Sequence, residues 1–282
     1  MLRTIGPLTA VVPRRGYGSG NSLKPVRSLP DASLQSFCDV AFVPETPAVF
    51  PRGTFDTLPA VNRWFTQSND ERNASTLNRA YLARFGSITV PLEISSNEQF
   101  TRVEQPLSFF LHVAMDTPPT NKIYLAQAPI NDLPRALRDD LSAPEYVLKA
   151  GKGDIYDSSI WLGQAPTYTP LHRDPNPNLF VQLAGTKVVR LFKPNVGRGI
   201  FAKVQESIGA NASATLRGEE MMQGAEKQAL EHEVWRSSDM SSAVGFEAEL
   251  SRGDGLFIPK GWWHSVKGIG DGMTGSVNWW FR

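Results

Sequence analysis

A single cysteine, Cys38, in 282 residues excludes an internal disulfide framework and any cysteine-based zinc or iron–sulfur site. Neither sign of charge dominates. With 29 basic residues against 28 acidic ones the net charge is +1, so the chain as a whole carries no nucleic-acid-binding signal. No apolar run approaches the roughly 20 residues needed to cross a bilayer, and no membrane partner is expected. Internal repeats are absent as well. What the chain has is size and apolar content: it is 41% hydrophobic, and at this length folding hides roughly 75% of the surface. One domain with embellishments is the expectation, a globular enzyme whose core needs no staple.

The charge is unevenly placed. Residues 1–30 contain Arg3, Arg14, Arg15, Lys24 and Arg27 and no acid. Their apolar run is broken by Pro7 and followed by arginines instead of a small-residue cleavage site, which argues against secretion and reads as a mitochondrial transit peptide; a disordered basic tail is the alternative. The run Arg15-Gly16-Tyr17-Gly18-Ser19 resembles a processing site with arginine three residues before the cut. Cleavage after Tyr17 would remove three arginines and take the net charge from +1 to −2. The expectation is a matrix protein with residues 1–30 outside the fold. Glycosylation requires secretion, so the sequons at Asn73 and Asn211 are read as chance.

Pattern divides the remainder. Over 31–120 short segments alternate: amphipathic helices are predicted at 60–66 and 76–84, a strand at 86–94 whose Pro91 marks an edge or a bulge, and a buried helix at 107–115. From 121 onward the strong segments are short, β-branched and aromatic, punctuated by Gly and Pro: 122–127, 158–162, 179–183, 187–192, 255–259, 264–267 and 275–282. Such punctuation predicts a sandwich or barrel. One helical insert, with its helix at 217–235 and outer limits of about 197–250, interrupts the strands. The fold class is therefore mainly β with helical additions, with 31–120 packed as a mixed α/β segment on a core at 121–282.

Chemistry concentrates in two stretches. In Thr169-Pro170-Leu171-His172-Arg173-Asp174, an extended backbone points residues i and i+2 the same way, so an imidazole and a carboxylate stand side by side. In Gly253-Asp254 through Trp262-Trp263-His264, a strand and a Pro-Lys-Gly turn deliver a second imidazole. Two nitrogens and one oxygen can hold one face of an octahedral ion and leave three positions open, the arrangement of non-haem Fe(II) oxygenases. Lys187 shares a strand face with Val189 and Leu191, so it points inward, and a buried ammonium needs an anion.

The run Thr169-Pro170-x-His172-x-Asp174-x-x-x-Asn178-x-Phe180-x-Gln182-x-x-Gly185-x-Lys187, the segment Gly253-Asp254 to Trp262-Trp263-His264, and Val277-Asn278-x-Trp280 together resemble the JmjC or cupin-type Fe(II) and 2-oxoglutarate-dependent oxygenases. The likeness is closest to the small protein hydroxylases of the factor-inhibiting-hypoxia-inducible-factor type. It is strong over 121–282 and weaker over 48–94. The resemblance implies a double-stranded β-helix (jelly-roll) core, with Fe(II) on His172, Asp174 and His264. It further implies 2-oxoglutarate chelating the ion through its keto oxygen and C1 carboxylate, and dioxygen as co-substrate. Lys187, with Thr169 and Tyr124, would take the C5 carboxylate. Asn178 and Asn278 would hydrogen-bond around the C1 carboxylate or the ligands, and Trp280, two residues after Asn278, would line the same pocket.

The implied reaction is hydroxylation of a protein or peptide side chain with decarboxylation of 2-oxoglutarate to succinate. A demethylase or small-molecule hydroxylase is the alternative within the fold, and a non-catalytic metal- or RNA-binding cupin module the alternative outside it. The chain ends at Arg282, where the resembled hydroxylases continue into dimerising helices, so the resemblance carries no expectation of dimerisation by that route, and nothing else specifies an oligomeric state. Among the remaining candidates, Trp262, Trp263 and Trp279 are read as packing, His112 as a hydrogen-bonded core residue, His232 as solvated and Cys38 as a small buried side chain.

Overall fold

A computed structural model describes residues 23–67, 74–96, 99–114, 122–210, 222–237 and 245–282. In chain order the strands are β1 (Lys24–Pro25), β2 (Ala48–Val49), β3 (Phe65–Gln67), β4 (Ser75–Leu77), β5 (Thr89–Ser96), β6 (Gln99–Pro106), β7 (Lys122–Pro129) and β8 (Ile155–Gln164). They continue as β9 (Thr167–Arg173), β10 (Asn178–Ala184), β11 (Thr186–Phe192), β12 (Gly245–Leu250), β13 (Gly255–Ile258), β14 (Trp263–Ile269) and β15 (Met273–Phe281).

Pairing is nested. β11 pairs with β12, β10 with β13, β9 with β14 and β8 with β15, all antiparallel. One long hairpin is thus wound on itself, the double-stranded β-helix. Its turns alternate between a five-stranded sheet, in the order β1-β12-β11-β14-β9, and an eight-stranded one, β2-β13-β10-β15-β8-β7-β5-β6. Gly185, between β10 and β11, makes one corner: its φ is +66° and a Cβ there would meet the Met273 carbonyl oxygen at 2.7 Å, so the turn accepts only glycine without strain.

Alternation along the strands sorts side chains into layers. On β10, Leu179, Val181 and Leu183 face outward into a core completed by Phe37, Val61 and Phe110 of the N-terminal segment. The intervening Asn178, Phe180 and Gln182 face the space between the sheets. A second cluster, including Phe180, Val189, Leu191 and Ile258, fills that space at one end. On the outer face of the five-stranded sheet, Leu171, Phe192 and Trp263 pack under Ile200, Phe201, Leu230 and Val234 of the insert.

Several boundaries differ from expectation. Residues 1–22 lie outside the described residues, but 24–30 belong to the fold: β1 pairs with β12, and Leu29, 4% exposed, joins the core and donates its N–H to Val49. The helix expected at 76–84 starts later: β4 comes first, and the helical turn Arg79–Leu82 continues as a tighter turn over Ala83–Phe85. Asn78 ends the strand and caps the helical turn by accepting from the Tyr81 N–H. Likewise the helix at 60–66 is Pro59–Arg63, and Phe65 and Thr66 have crossed into β3. Pro91 lies in no bulge, and its strand as a whole is not an edge strand. β5 is flanked by β6 and β7, but β7 pairs only with 92–95, so the missing N–H costs no bond on that side.

The insert begins at Pro194, earlier than the expected 197, and ends before Gly245 instead of at 250, and its expected helix is met only in part. It carries two helices, Pro194–Ser207 and Gly224–Glu231, the second running on through a wider turn at His232–Arg236. Residues 217–221 lie outside the described residues. Gly245–Leu250 is β12, a core strand, because its alternating residues complete the edge of β11. His112 is exposed, since Leu107, Phe110 and Leu111 take the buried face of Leu107–Val113. Cys38 is half-buried, and burial pushes its thiol up. Trp262, Trp263 and Trp279 are packed in the interior, as read, and His232 is exposed.

Candidate metal centre

β9 and β14 run side by side with His172 directly opposite His264. Opposed residues of an antiparallel pair project to the same face, and the two imidazole centroids are 4.2 Å apart. Asp174 follows the end of β9 and turns its carboxylate between the rings. One carboxylate oxygen is 4.0 Å from His172 Nε2 and the other 3.7 Å from His264 Nε2. These separations are too long for hydrogen bonds and suit ligands sharing a single ion. One donor atom from each residue lies within 4.8 Å of the other two, and no other such cluster occurs among the described residues.

The rings are set for coordination. His172 Nδ1 lies 2.8 Å from the Pro170 carbonyl oxygen and His264 Nδ1 3.2 Å from that of Trp262. A carbonyl only accepts, so each ring carries its proton on Nδ1 and offers an Nε2 lone pair. Burial, helped by the neighbouring His172 and opposed by Asp174, pushes His264 down to about 4, and the ring is neutral at physiological pH. Burial works to raise the Asp174 carboxyl, but His264 and His172, then Trp280 and Asn178, outweigh it and hold it below the usual carboxylate range.

The carboxylate is gripped from behind. Asp174 Oδ2 accepts from Trp280 Nε1 at 2.7 Å and from Asn178 Nδ2 at 3.0 Å, and Asn278 Nδ2 donates to Asn178 Oδ1 at 3.0 Å. Of the two placements the resemblance allowed for the asparagines, Asn178 contacts a candidate ligand directly and Asn278 supports it through Asn178. Oδ1, with no donor among the described residues, is the oxygen left for an ion.

At the deep end of the same cleft, Lys187 is 3% exposed. Its Nζ donates to Ser276 Oγ at 2.8 Å and Tyr124 Oη at 3.3 Å, and lies 5.4 Å from the Phe180 ring centroid. No carboxylate pairs with it among the described residues, and burial pushes it down to about 7. An ammonium held among hydroxyls and a ring, without an anion, is a receptor for one. Burial also pushes the Tyr124 phenol up, so it stays a neutral hydrogen-bond donor.

All nine residues singled out in the sequence line this cleft, which holds about 400 Å³ including its mouth. Four more line it that the sequence reading passed over: Trp161, Phe180, Val266 and Ser276. Three of the four stand two positions from a named residue: Ser276 before Asn278, Phe180 after Asn178 and Val266 after His264. The period of two that placed Trp280 would have found them.

The cupin-like domain family matches residues 36–282. A lysine-specific demethylase JMJ30 of Arabidopsis thaliana is 28% identical over 255 residues, which cover 88% of this chain and 53% of that protein. The lysine-specific demethylase 8 of Xenopus tropicalis is 28% identical, covering 88% and 51%, and a Jumonji C domain-containing protein 5 of Drosophila melanogaster 26% identical, covering 100% and 63%. The chain thus spans about half the length of the curated relatives it matches. With the nested hairpin, the three converging donors and a family match running from 36 to the last residue, the chain belongs to the cupin-like domain family.

Proposed function

We propose that this protein is an Fe(II)- and 2-oxoglutarate-dependent oxygenase that hydroxylates a side chain of a protein substrate. The observation that carries the reading is the pairing of two features in one cleft: three neutral or anionic donors spaced for a single ion, and an unpaired buried ammonium. His172 and His264 supply Nε2 and Asp174 supplies Oδ1. Asn178, Asn278 and Trp280 hold that carboxylate in one orientation, which a facial ligand set requires. When bound, ferrous iron with its keto-acid co-substrate supplies the oxidising power for C–H hydroxylation.

The protein's own part is placement and exclusion. Lys187 takes the far carboxylate of the keto-diacid, with Ser276, Tyr124 and Thr169 as hydroxyl partners. The dianion thereby restores the charge balance that burial denied the ammonium. Trp161, Phe180 and Val266 close the walls against water. A non-catalytic module would have no use for an anion receptor beside three ligands.

A demethylase outcome has one observation in its favour, the likeness to relatives named as lysine-specific demethylases, such as JMJ30. The chemistry is shared up to a point: hydroxylation of an N-methyl carbon gives a hemiaminal that releases formaldehyde. One assay separates the readings. Fe(II)-dependent conversion of 2-oxoglutarate to succinate is expected, lost in Asp174→Ala and Lys187→Ala. Substrate captured on Asp174→Ala protein and read by mass spectrometry distinguishes a stable +16 Da product from formaldehyde release. Wild-type protein that neither retains iron nor turns over 2-oxoglutarate overturns the proposal.

The acid-free leader supports a matrix location, with the cut before Leu23, since β1 belongs to the folded sheet. Import of a fluorescent fusion of residues 1–22 tests it.

A further inference from the structure

A second, larger cleft adjoins the donors. His172, Asp174 and Trp280 line both, and Gln127, Tyr156 and Asp157 are found only in the outer one. The register of β8 against β15 sets Asp157 opposite Trp280, Ser159 opposite Asn278 and Trp161 opposite Ser276. Directly opposed residues share a face. Asp157 therefore projects the same way as the indole that donates to Asp174, on the row that ends at Trp161 in the inner cleft.

Its charge is unmatched. Asp157 Oδ1 accepts from the Ser158 N–H at 2.7 Å, and Oδ2 has neither a hydrogen-bond nor an ion-pair partner among the described residues. The basic residue of the same cleft, Arg173, is engaged elsewhere, with its guanidinium 6.0 Å from the Trp263 ring centroid. The other carboxylate, Asp174, is committed to the donor set. A half-buried carboxylate with a spare oxygen, facing the route to the reactive centre, favours a cation there and disfavours another anion.

We propose that Asp157 is a specificity-determining residue, accepting the cationic head of a lysine or arginine side chain and placing its carbon chain over the donors. The inference rests on the oxygenase reading and narrows it: neutral asparagine and anionic aspartate side chains fit this cleft poorly. Methylated lysine keeps its charge and fits as well as unmodified lysine.

Binding is measured by fluorescence anisotropy on the full chain loaded with Fe(II) and 2-oxoglutarate under nitrogen. The probes are labelled peptides of degenerate flanks with Lys, Arg, Gln or Glu at the centre. Wild-type protein is expected to favour one of the cationic peptides over the Gln peptide by about tenfold, the scale of one charge-assisted hydrogen bond. Asp157→Asn should abolish that ratio and Asp157→Lys should reverse it toward the Glu peptide. The ratio is the readout, so partial loss of folded protein cannot mimic the result. The Lys and Arg arms separate ammonium from guanidinium. Equal affinity for all four peptides, or a preference that survives Asp157→Asn, overturns the inference. Failure of the oxygenase reading shows separately, as absent 2-oxoglutarate turnover by the wild-type chain.

Discussion

His172 and His264 face each other across two neighbouring antiparallel strands, in register, with their ring centroids 4.2 Å apart. They are 92 positions apart in the chain, and the pairing of β9 with β14 brings them together. Asp174 needs only to curl past the strand end to complete the set. The backbone ladder sets the two rings, and the third element, the carboxylate, is held by side chains behind it.

Asn178 is the support for that element. Asn178→Ala removes one of the two donors on Asp174 Oδ2 and unpairs Asn278 Nδ2. The expected loss in metal affinity is about 10- to 100-fold, the usual scale for an outer hydrogen bond to a ligand. Titration with Fe(II) or Co(II) measures it, and unaltered affinity would show that Trp280 alone suffices.

On the proposed reading, Lys187 should make co-substrate binding pH-dependent. The buried amine sits at about 7 in the folded protein against an ordinary 10.5. Between those values the unfolded chain holds the extra proton, so stability of the ligand-free protein rises with pH across that window. Binding of the dianion has the opposite sign, because it needs the ammonium form. Affinity for 2-oxoglutarate should fall above pH 7, by up to about tenfold per unit. In Lys187→Arg, which keeps its charge, the slope should vanish. Calorimetry at several pH values reads both, and a wild-type affinity flat from about pH 6.5 to 8.5 would refute the assignment.

Gly163 is the seat of Tyr124. A Cβ at 163 would lie 2.1 Å from Tyr124 Cδ2, closer than any side chain tolerates, so Gly163→Ala must displace the phenol from Lys187. The expected outcome is a raised KM for 2-oxoglutarate with the metal site intact. Metal affinity falling in parallel would point to a general collapse of β8 instead.

Asp140 tests the N-terminal core. Its carboxylate is fully buried and accepts from Trp64 Nε1 at 2.9 Å, Tyr81 Oη at 2.6 Å and Arg63 Nη1 at 2.7 Å. Asp140→Ala leaves the indole N–H and the phenol unpaired, at about 1–3 kcal/mol each. Denaturant unfolding should show a loss of about 3 kcal/mol or more. A loss under about 1 kcal/mol would mean that water replaces the carboxylate.

Reading by period served where one strand was enough. The inward register of Lys187 with Val189 and Leu191 and the shared face of Asn278 and Trp280 are properties of single extended segments, whereas Asp174 lies just past the end of β9 and reaches His172 by turning. Period failed where a partner decides: Ser75–Leu77 carries a helix-compatible pattern but pairs with Phe65–Gln67, and Gly245–Leu250 looked like the tail of an insert until β11 claimed it. His112 was assigned to the core from apolar neighbours, yet a helix has an outer face and His112 occupies it.

By itself the sequence determined which side chains could do chemistry and which way each faced on its own strand, because alternation is a local consequence of backbone geometry. The tertiary structure alone decided which strands lie side by side, and so that His264 meets His172, that Ser276 shares Lys187, and that Asp157 stands opposite Trp280. Cross-strand neighbours are set by burying both faces of two sheets at once, a requirement that no single segment carries.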